Sequence, residues 1–410
     1  MFNIIILGIT SLLTDISTEM VYPIIPLYLS ILGAQPYILG LIEGIAESLA
    51  SVLKVFSGFW SDRLGRRKPL AVAGYSSSTV GKILLYFSGM SKALGWVWVL
   101  AGRVVDRFGK GVRTAPRDAL IADSSQAGRR GMAFGLHRAL DTLGASAGVF
   151  IAYLLVRKLT DASAPKQFQP LFLLSLIPAA LGVLVLSLVR ERRKNTGRTQ
   201  ETPENGSCDA PRGRAASRSG PAIPAAPAPL AFRTLPVKLR LFLLVVLLFA
   251  LGNSSNQFLI LRAHKSGFSI PEALLLYLVY NLVYGVFSFP VGRLADRFGH
   301  KRVLVAGYIF YGLVYLGFAL VPARPWFWVL FAAYGLYSAF TEGVEKALVA
   351  EIAPAEMRGT MIGLHGTLTG IGLLPASLIA GGLMTWHLSA PFYFGGAMGL
   401  LAALGLVLVL

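Results

Sequence analysis

Apolar stretches of about twenty residues recur along the whole chain and are separated by short polar connections. A helix that crosses a lipid bilayer needs about 20 mostly apolar residues, because each residue adds about 1.5 Å. The stretches that meet this length are residues 4–31, 37–60, 70–90, 96–122, 132–156, 170–190, 238–261, 271–291, 303–321, 326–351, 360–384 and 391–410. This pattern predicts an all-α membrane protein with twelve transmembrane helices.

A polar segment at residues 191–236 interrupts the pattern after the sixth stretch. It is rich in Arg, Pro, Ala, Ser and Gly, and it cannot bury enough apolar surface to become ordered. We therefore expect two six-helix bundles, at residues 1–190 and 237–410, joined by a flexible cytoplasmic linker at residues 191–236.

Composition and the placement of charge favour a bilayer protein. Hydrophobic residues make up 55% of the chain and charged residues 14%, whereas soluble domains carry roughly a quarter charged residues. The formal net charge of +18 does not indicate a nucleic-acid partner, because Lys and Arg are concentrated after the second, fourth, sixth and eighth stretches. This asymmetry is typical of cytoplasmic loops. It predicts a multi-pass protein of the cytoplasmic (inner) membrane with both termini cytoplasmic.

The same short pattern occurs in both halves. Residues 119–144 and 347–372 share an Ala-Leu-x-Ala-acid run, an Arg-Gly pair and a Gly-Leu-His run at a constant shift of 228 (347 − 119 = 228). His137 and His365 are equivalent in this repeat, and an imidazole there can bind metal, relay protons or simply pack and form hydrogen bonds. A duplicated, mostly apolar chain predicts a membrane transporter whose site lies between its halves.

Charged residues inside the predicted spans are candidates for that site, since charges at membrane depth are expensive and face a cavity or a partner. The fourth stretch carries a helical stripe at three- and four-residue spacing, formed by Arg103, Asp106, Arg107, Lys110 and Arg113. Arg103 and Arg107 are the predicted anion clamps, because a guanidinium binds a carboxylate or phosphate with two parallel bonds. Lys110 and Arg113 have an alternative, which is to extend to the lipid headgroups.

Carboxylates that can balance these cations lie in the first, second and fifth stretches. The first stretch contributes Asp15 and Glu19, and the second contributes Glu43 and Glu47, each pair on one helix face. The fifth stretch contributes the carboxylate Asp141 and two further candidates, His137 and Arg138. Carboxylates near cations can have widely separated proton affinities, and Asp15 or Glu19 is the predicted proton-coupling acid. The alternative is a static buried ion pair that holds helices together.

The second half carries less charge. Its candidates are Asn253 and Asn256 in the seventh stretch and Glu342, Glu345 and Lys346 in the tenth, with a tyrosine stripe (Tyr277, Tyr280, Tyr284) that serves either packing or a ligand. Charge in one half and neutral polar groups in the other would orient an asymmetric substrate. Under the repeat, Arg117-Asp118 becomes Glu345-Lys346. The reversed order predicts a salt bridge between the halves at the cytoplasmic gate.

A second repeated motif connects the second stretch to the third and the eighth stretch to the ninth. The first copy comprises Gly58, Asp62, Arg63, Gly65, Arg66 and Arg67, and the second comprises Gly292, Asp296, Arg297, Gly299, His300 and Lys301. With these motifs and twelve spans, the chain resembles the major facilitator superfamily over essentially its whole length. The resemblance implies two pseudo-symmetric six-helix bundles and a gating role for both motif copies. Glycines there permit close backbone approach, Asp62 and Asp296 can face a helix N-terminus, and the basic residues stay among the headgroups.

The resemblance also implies secondary active transport by alternating access, with spans one, four, seven and ten lining the central cavity. From the charges we expect a small anionic or zwitterionic organic solute, coupled to protons, carried by a monomer in the lipid bilayer. No cofactor is expected beyond the proton gradient as energy source. The antiporter signature of the family is not reproduced, because Gly144-Ala-Ser-Ala-Gly148 lacks its Gly-Pro pair.

Three alternatives stay open at this point. A drug or siderophore efflux antiporter would use the same fold, a divalent-metal exporter would use Asp15, Glu19 and His137 as ligands, and a receptor or scaffold would retain the fold without transport. An enzyme is not expected, because no catalytic motif is recognisable. Gly81-Lys82 lacks the upstream spacing of a phosphate-binding loop.

Overall fold

The computed structural model describes residues 2–64, 66–90, 94–125, 130–159, 164–191, 237–320, 323–353 and 358–409. Within these residues all regular structure is helical. The predicted linker lies outside the described residues, apart from its first residue, so the domain boundaries and the role of the linker remain predictions.

Helices occupy all twelve predicted stretches, six in each half. The first half contains α1 (Phe2–Val21), α2 (Ile25–Ile31), α3 (Pro36–Leu64), α4 (Lys68–Phe87), α5 (Gly95–Ser124), α6 (Arg130–Val156) and α7 (Gln169–Ser187). The second half contains α8 (Val237–Gly252), α9 (Gln257–Lys265), α10 (Ile270–Phe298), α11 (His300–Leu320), α12 (Arg324–Ile352), α13 (Arg358–Trp386) and α14 (Ala390–Val409). An even number of spans places both termini at one end of the molecule, which we call the termini face; the other end is the opposite face.

The first and seventh spans are each broken into two helices, which the sequence had predicted as continuous. In the first span a 3-10 turn at Tyr22–Ile24 separates α1 from α2. Pro23 and Pro26 lie at this break, and a proline cannot donate the backbone hydrogen bond that would continue the helix. The break therefore follows from local sequence, although hydropathy does not reveal it.

The break in the seventh span lies at the corresponding place in the second half. Residues Asn253–Asn256 connect α8 to α9 without helical structure. Their side chains are Asn, Ser, Ser and Asn, which compete with helical backbone hydrogen bonds. Discontinuous helices at matching positions of a repeat are typical of sites in membrane transporters.

By length and apolar composition alone, eight of the described helical segments are able to cross a membrane. The other predicted spans are α3, α4, α5 and α12, which carry ionisable side chains in their interiors. Six charged residues of α3, α4 and α5 are buried, and the following section describes their contacts: Glu43, Lys82, Arg103, Asp106, Arg107 and Arg113. Their low hydropathy therefore reflects a polar interior between helices.

Close backbone contacts join the two halves towards the opposite face. A Cβ atom on Gly40 of α3 would lie 2.2 Å from the carbonyl oxygen of Ser377 on α13. Further along the same helix pair, the Ser48 hydroxyl donates a hydrogen bond to the Gly370 carbonyl oxygen at 2.8 Å. The short helix α2 also packs against α9. The halves are thus sealed together at this end.

A cavity of about 570 Å³ opens between the halves on the other side. It is lined by residues of α6, α10, α11 and α12. Asp296 and His300, at the end of α10 and the start of α11, are among its lining residues, so the cavity reaches the termini face.

Candidate functional site

The charged stripe of the fourth span faces the second span inside the first bundle. Arg103 binds Glu43 through Nη2 at 2.6 Å and through Nε at 2.8 Å. One turn further along, Arg107 Nε lies 2.8 Å from Glu47 Oε1. The i, i+4 spacing on α5 thus matches the i, i+4 spacing on α3, so two ion pairs one turn apart connect the helices.

Asp106 completes this cluster together with a lysine from the third span. Its carboxylate lies 3.7 Å from Arg103, 3.8 Å from Arg107 and 3.7 Å from Lys82 Nζ on α4. Lys82, Arg103 and Arg107 supply three positive charges, and Glu43, Glu47 and Asp106 supply three negative charges. The cluster is therefore neutral as a whole, and both predicted anion clamps are occupied by carboxylates of their own half.

One carboxylate of this cluster also contacts the other half. Glu43 Oε2 accepts a hydrogen bond from the Ser255 hydroxyl at 3.2 Å, at the break of the seventh span. The ring of Tyr22, at the break of the first span, lies 5.1 Å from the Arg103 guanidinium, and its hydroxyl lies 3.3 Å from Ser255 Oγ. Gln257 Nε2 donates to the Tyr22 carbonyl oxygen at 3.2 Å. The two broken helices and the charged cluster thus meet at one point.

The predicted asparagines of the second half lie in a network of tyrosines. Asn253 donates to the Tyr337 hydroxyl at 3.1 Å, and Asn256 donates to the Tyr280 hydroxyl at 3.2 Å. Tyr334 donates back to Asn256 Oδ1 at 2.8 Å. The tyrosine stripe of the eighth span therefore forms part of this network at Tyr280, and this half presents neutral hydrogen-bonding groups where the first half presents charge.

The predicted salt bridge between Arg117-Asp118 and Glu345-Lys346 is not formed in this structure, which is open at the termini face, and it stays a prediction for a state in which that face is closed. Arg117 binds its neighbour Asp118 at 2.9 Å, within the first half. Glu345 is buried in the second half, where it accepts a hydrogen bond from Tyr308 at 3.0 Å and lies 3.1 Å from His365 Nε2. Lys346 lines the cavity. In this state Arg117 and Glu345 each bind a partner of their own half.

A different ion pair crosses between the halves inside the cavity. Arg138 Nη2 on α6 lies 3.4 Å from Glu342 Oε2 on α12. The Tyr284 hydroxyl on α10 donates to the same carboxylate and accepts a hydrogen bond from Arg138 at 2.5 Å. The sequence had named Arg138 and Glu342 as candidates without indicating that they meet.

Asp15 and Glu19 are half-buried and stand apart from these pairs. Among the described residues no cation lies within ion-pair distance of either carboxylate, and Glu19 Oε2 is buried without a hydrogen-bond partner. The first span lies close against the fifth here, since a Cβ atom on Gly148 would lie 2.5 Å from the Ile16 carbonyl oxygen and 3.0 Å from the Glu19 Cβ atom.

The remaining cations and the first histidine are distributed as follows. Arg113 is buried, donates to the Ser78 hydroxyl and lies 4.6 Å from the centre of the Tyr75 ring, so its predicted alternative of extending to headgroups is wrong. The Lys110 side chain is exposed. His137 Nδ1 lies 3.4 Å from Asp141 Oδ2 on the same helix. Within the described part of the chain, no group of three or more His, Cys, Asp or Glu side chains is arranged to hold a metal ion.

Both motif copies connect their loop to the end of the fourth or tenth span. In the first copy Arg67 binds Asp123, and in the second copy His300 Nδ1 lies 3.0 Å from Glu351 Oε2. Asp123 and Glu351 are equivalent in the 228-residue repeat, so a motif side chain contacts the equivalent carboxylate in both halves, although His300 corresponds to Arg66 and not to Arg67. Asp296 lies 3.5 Å from His300, the first residue of α11.

The other motif residues add little to this picture. Gly65 and the side chain of Asp62 lie outside the described residues. Arg63 and Arg66 are exposed, Lys301 is half-buried, and Arg297 lies against the neighbouring Phe298 ring. Gly58 lies inside α3 and Gly292 inside α10, whereas Gly299 follows the end of α10. The gating role of the motif remains a prediction.

Sequence reasoning missed several residues of the site. Lys82 is one of them, although a lone lysine in the middle of a span itself indicates a buried partner. Tyr22 has no sequence signal, because only the breaks bring it together with Ser255, a polar residue of the seventh span that the sequence does offer as a candidate. Tyr308 has no distinguishing sequence signal, since tyrosines are common in this half.

Comparisons with known proteins agree with the geometry. A family model described as Major Facilitator Superfamily matches residues 7–261 and 241–410. An uncharacterized MFS-type transporter of Methanocaldococcus jannaschii is 35% identical over 415 residues, which cover 99% of this chain and 94% of that protein. The puromycin resistance protein of Streptomyces alboniger is 35% identical over 133 residues, 31% of this chain and 25% of that protein.

Solved structures show the same fold. The crystal structure of a D-xylose-proton symporter superposes with a TM-score of 0.75 at 16% identity, covering 99% of this chain and 97% of that one. At this identity the likeness concerns the fold alone, and it confirms the predicted all-α architecture of two six-helix bundles. The chain belongs to the major facilitator superfamily.

Proposed function

We propose that this transporter carries a small charged organic solute by alternating access and couples its movement to protons. The observation that carries the proposal is the asymmetry of the interface between the halves. They are sealed towards the opposite face at Gly40 and Ser377, and they enclose a cavity that reaches the termini face. This arrangement corresponds to one end state of an alternating-access cycle. With both termini cytoplasmic, that state is the inward-facing one.

The solute class follows from which charged groups line the cavity. Arg103 and Arg107 already have carboxylate partners, so an anion would have to displace Glu43 or Glu47 to reach them. The cavity, in contrast, is lined by ionisable groups of both signs, which are Arg138, Lys346, His300, Glu342 and Asp296. Of the anionic and zwitterionic solutes expected from the sequence, the cavity therefore favours the zwitterionic class.

Proton coupling is assigned to Glu19, with Asp15 as its neighbour one turn away. Glu19 has no cationic partner among the described residues, and one carboxylate oxygen is buried without a hydrogen bond. A buried carboxylate without a partner is costly when ionised and is stabilised by binding a proton. Glu43, Glu47 and Asp106 differ from Glu19 because each lies within ion-pair distance of a cation, which stabilises its ionised form.

The test uses purified protein in vesicles with an imposed proton gradient and a radiolabelled zwitterionic amino acid as probe. We expect Glu19→Gln to abolish gradient-driven accumulation while exchange of labelled for unlabelled solute continues, since exchange needs no net proton movement. Asp15→Asn should show a weaker form of the same effect. Glu272→Gln, an exposed carboxylate that pairs with Arg324 and does not line the cavity, is the matched control and should accumulate solute normally. Full accumulation in the Glu19 and Asp15 variants would contradict the coupling role.

Efflux of a drug-like aromatic compound is a second candidate. It is supported by the partial similarity to a puromycin resistance protein and by the tyrosine-rich interior of the second half. Proton-driven export of puromycin from inverted vesicles, with no transport of amino acids, would favour this candidate over the first.

A further inference from the structure

The cavity contains a pair of opposite charges that belong to different halves of the molecule. Arg138 projects from α6 of the first half, and Glu342 projects from α12 of the second, with 3.4 Å between Nη2 and Oε2. Tyr284 of α10 hydrogen-bonds to both side chains, and the Arg138 guanidinium lies 5.7 Å from the centre of its ring. The three side chains form one cross-half group, which we call the cavity triad.

Exposure distinguishes the cavity triad from the charged cluster of the first half. The Arg138 and Glu342 side chains are 61% and 59% exposed, whereas those of Arg103 and Glu43 are 3% and 0% exposed. An exposed ion pair contributes only about 0–1 kcal/mol, so it can open without much cost. A buried pair cannot open without leaving an uncompensated charge. The Arg138–Glu342 pair of the cavity triad is therefore the one that an incoming solute can separate.

The triad is also placed well inside the molecule. Arg138 lies eight residues from the first residue of α6 at the termini face, which is roughly 12 Å along the helix (138 − 130 = 8). Glu342 lies ten residues before the end of α12, or roughly 15 Å (352 − 342 = 10). The cavity around them measures about 570 Å³ and adds the hydroxyls of Ser288 and Ser338. This volume suffices for an amino-acid-sized solute with accompanying water.

We propose that the cavity triad is the recognition site for a zwitterion bearing both an amine and a carboxylate. The carboxylate of the solute replaces Glu342 on the Arg138 guanidinium, which can hold it with two parallel bonds. The ammonium group of the solute replaces Arg138 beside the Glu342 carboxylate. The Tyr284 hydroxyl can donate to one charged group or accept from the other, and its ring offers an apolar face to the rest of the solute.

Selectivity follows from the pairing that the solute replaces. A zwitterion gives a new partner to each member of the ion pair. A solute with only one charge gains one of the two charge-assisted contacts and lacks the other, so it binds more weakly. Because Arg138 and Glu342 belong to different halves, the bound zwitterion contacts both bundles at once. This inference rests on the proposed transport of a zwitterion and assigns the residues that select it.

The experiment measures equilibrium binding to the purified full-length protein, without any gradient, by titration calorimetry. The probes are L-phenylalanine, its N-acetyl derivative, which keeps only the negative charge, and its methyl ester, which keeps only the positive charge. For the native protein we expect phenylalanine to bind at least about tenfold more tightly than either derivative. Equal affinities for the three probes, or no saturable binding of phenylalanine, would overturn the proposal.

Two variants determine which residue binds which charged group of the solute. Arg138→Gln should lose the preference for phenylalanine over the methyl ester, since the carboxylate then has no guanidinium to bind. Glu342→Gln should lose the preference for phenylalanine over the N-acetyl derivative. A merely structural ion pair would weaken all three probes alike in both variants, and that result would also overturn the proposal.

Two further variants keep the test independent of folding and of coupling. Arg324→Gln opens a comparably exposed ion pair, with Glu272, that does not line the cavity, so the order of the three affinities should stay that of the native protein. The double exchange Arg138→Glu with Glu342→Arg restores an ion pair and should restore the preference for the zwitterion. Since no gradient is applied, a failure of proton coupling at Glu19 would leave these binding results unchanged.

Discussion

The two halves place different chemistry on the same face of equivalent helices. The stripe Arg103, Asp106, Arg107, Lys110 and Arg113 of α5 becomes Phe331, Tyr334, Gly335, Ser338 and Thr341 on α12 at the shift of 228 residues. In the first half the stripe forms ion pairs with Glu43 and Glu47. In the second half the corresponding positions contribute aromatic rings and hydroxyls.

This difference indicates how firmly each half holds its shape. Each charge of the first cluster depends on its neighbours, because a buried charge left alone costs several kcal/mol. The tyrosine and asparagine hydrogen bonds of the second half are neutral, and comparable bonds between membrane helices contribute about 0.6 kcal/mol on average. The first half therefore provides a rigid charged wall, and the second half provides a wall whose groups can exchange partners at low cost.

The largest loss of stability is expected from a substitution at Arg103, in the charged cluster of the first half. Replacing it by Met leaves the Glu43 carboxylate buried beside Asp106 without its closest cation. We expect the free energy of unfolding to fall by about 3–5 kcal/mol, measured by thermal denaturation in detergent. The equivalent change in the second half, Phe331→Met, keeps an apolar side chain and should cost about 1.5 kcal/mol or less.

A rescue experiment distinguishes the cost of an unpaired buried charge from the cost of lost side-chain packing. Combining Arg103→Met with Glu43→Met removes both members of the closest pair and should recover a large part of the stability. If Arg103→Met alone were as stable as the native protein, the neutral cluster would not be the rigid element proposed here.

A smaller effect is expected at the one buried carboxylate of the tyrosine-rich wall. Tyr308→Phe removes the hydrogen bond to Glu345 Oε1 and leaves His365 as the remaining partner. Hydrogen bonds to charged groups contribute about 2 kcal/mol, so the melting temperature should fall measurably. Tyr75→Phe is the matched control, because the Tyr75 hydroxyl has no hydrogen-bond partner among the described residues. Equal losses in the two variants would mean that Glu345 does not depend on Tyr308.

The sequence predicted the spans well because the bilayer fixes their length and apolar character. It did not predict the breaks, since these depend on Pro23, Pro26 and the polar residues 253–256 rather than on mean hydropathy. Helical periodicity identified the stripe of α5, but it could not indicate which helix the stripe faces. For that reason periodicity does not predict that Glu345 binds His365 in this state or that Lys82 is a partner of Asp106.

The smallest effect on stability is expected at the point where the two walls meet in the cavity. Arg138→Gln opens an ion pair that is mostly exposed, and such pairs contribute no more than about 1 kcal/mol. The melting temperature should therefore change little, and the difference should shrink further in 1 M salt, where charges are screened within about 3 Å. A loss as large as that of Arg103→Met, measured in the same detergent, would identify the pair as a structural link between the halves. A small, salt-sensitive loss leaves Arg138 and Glu342 free to exchange partners, which a site that must release its solute on every cycle requires.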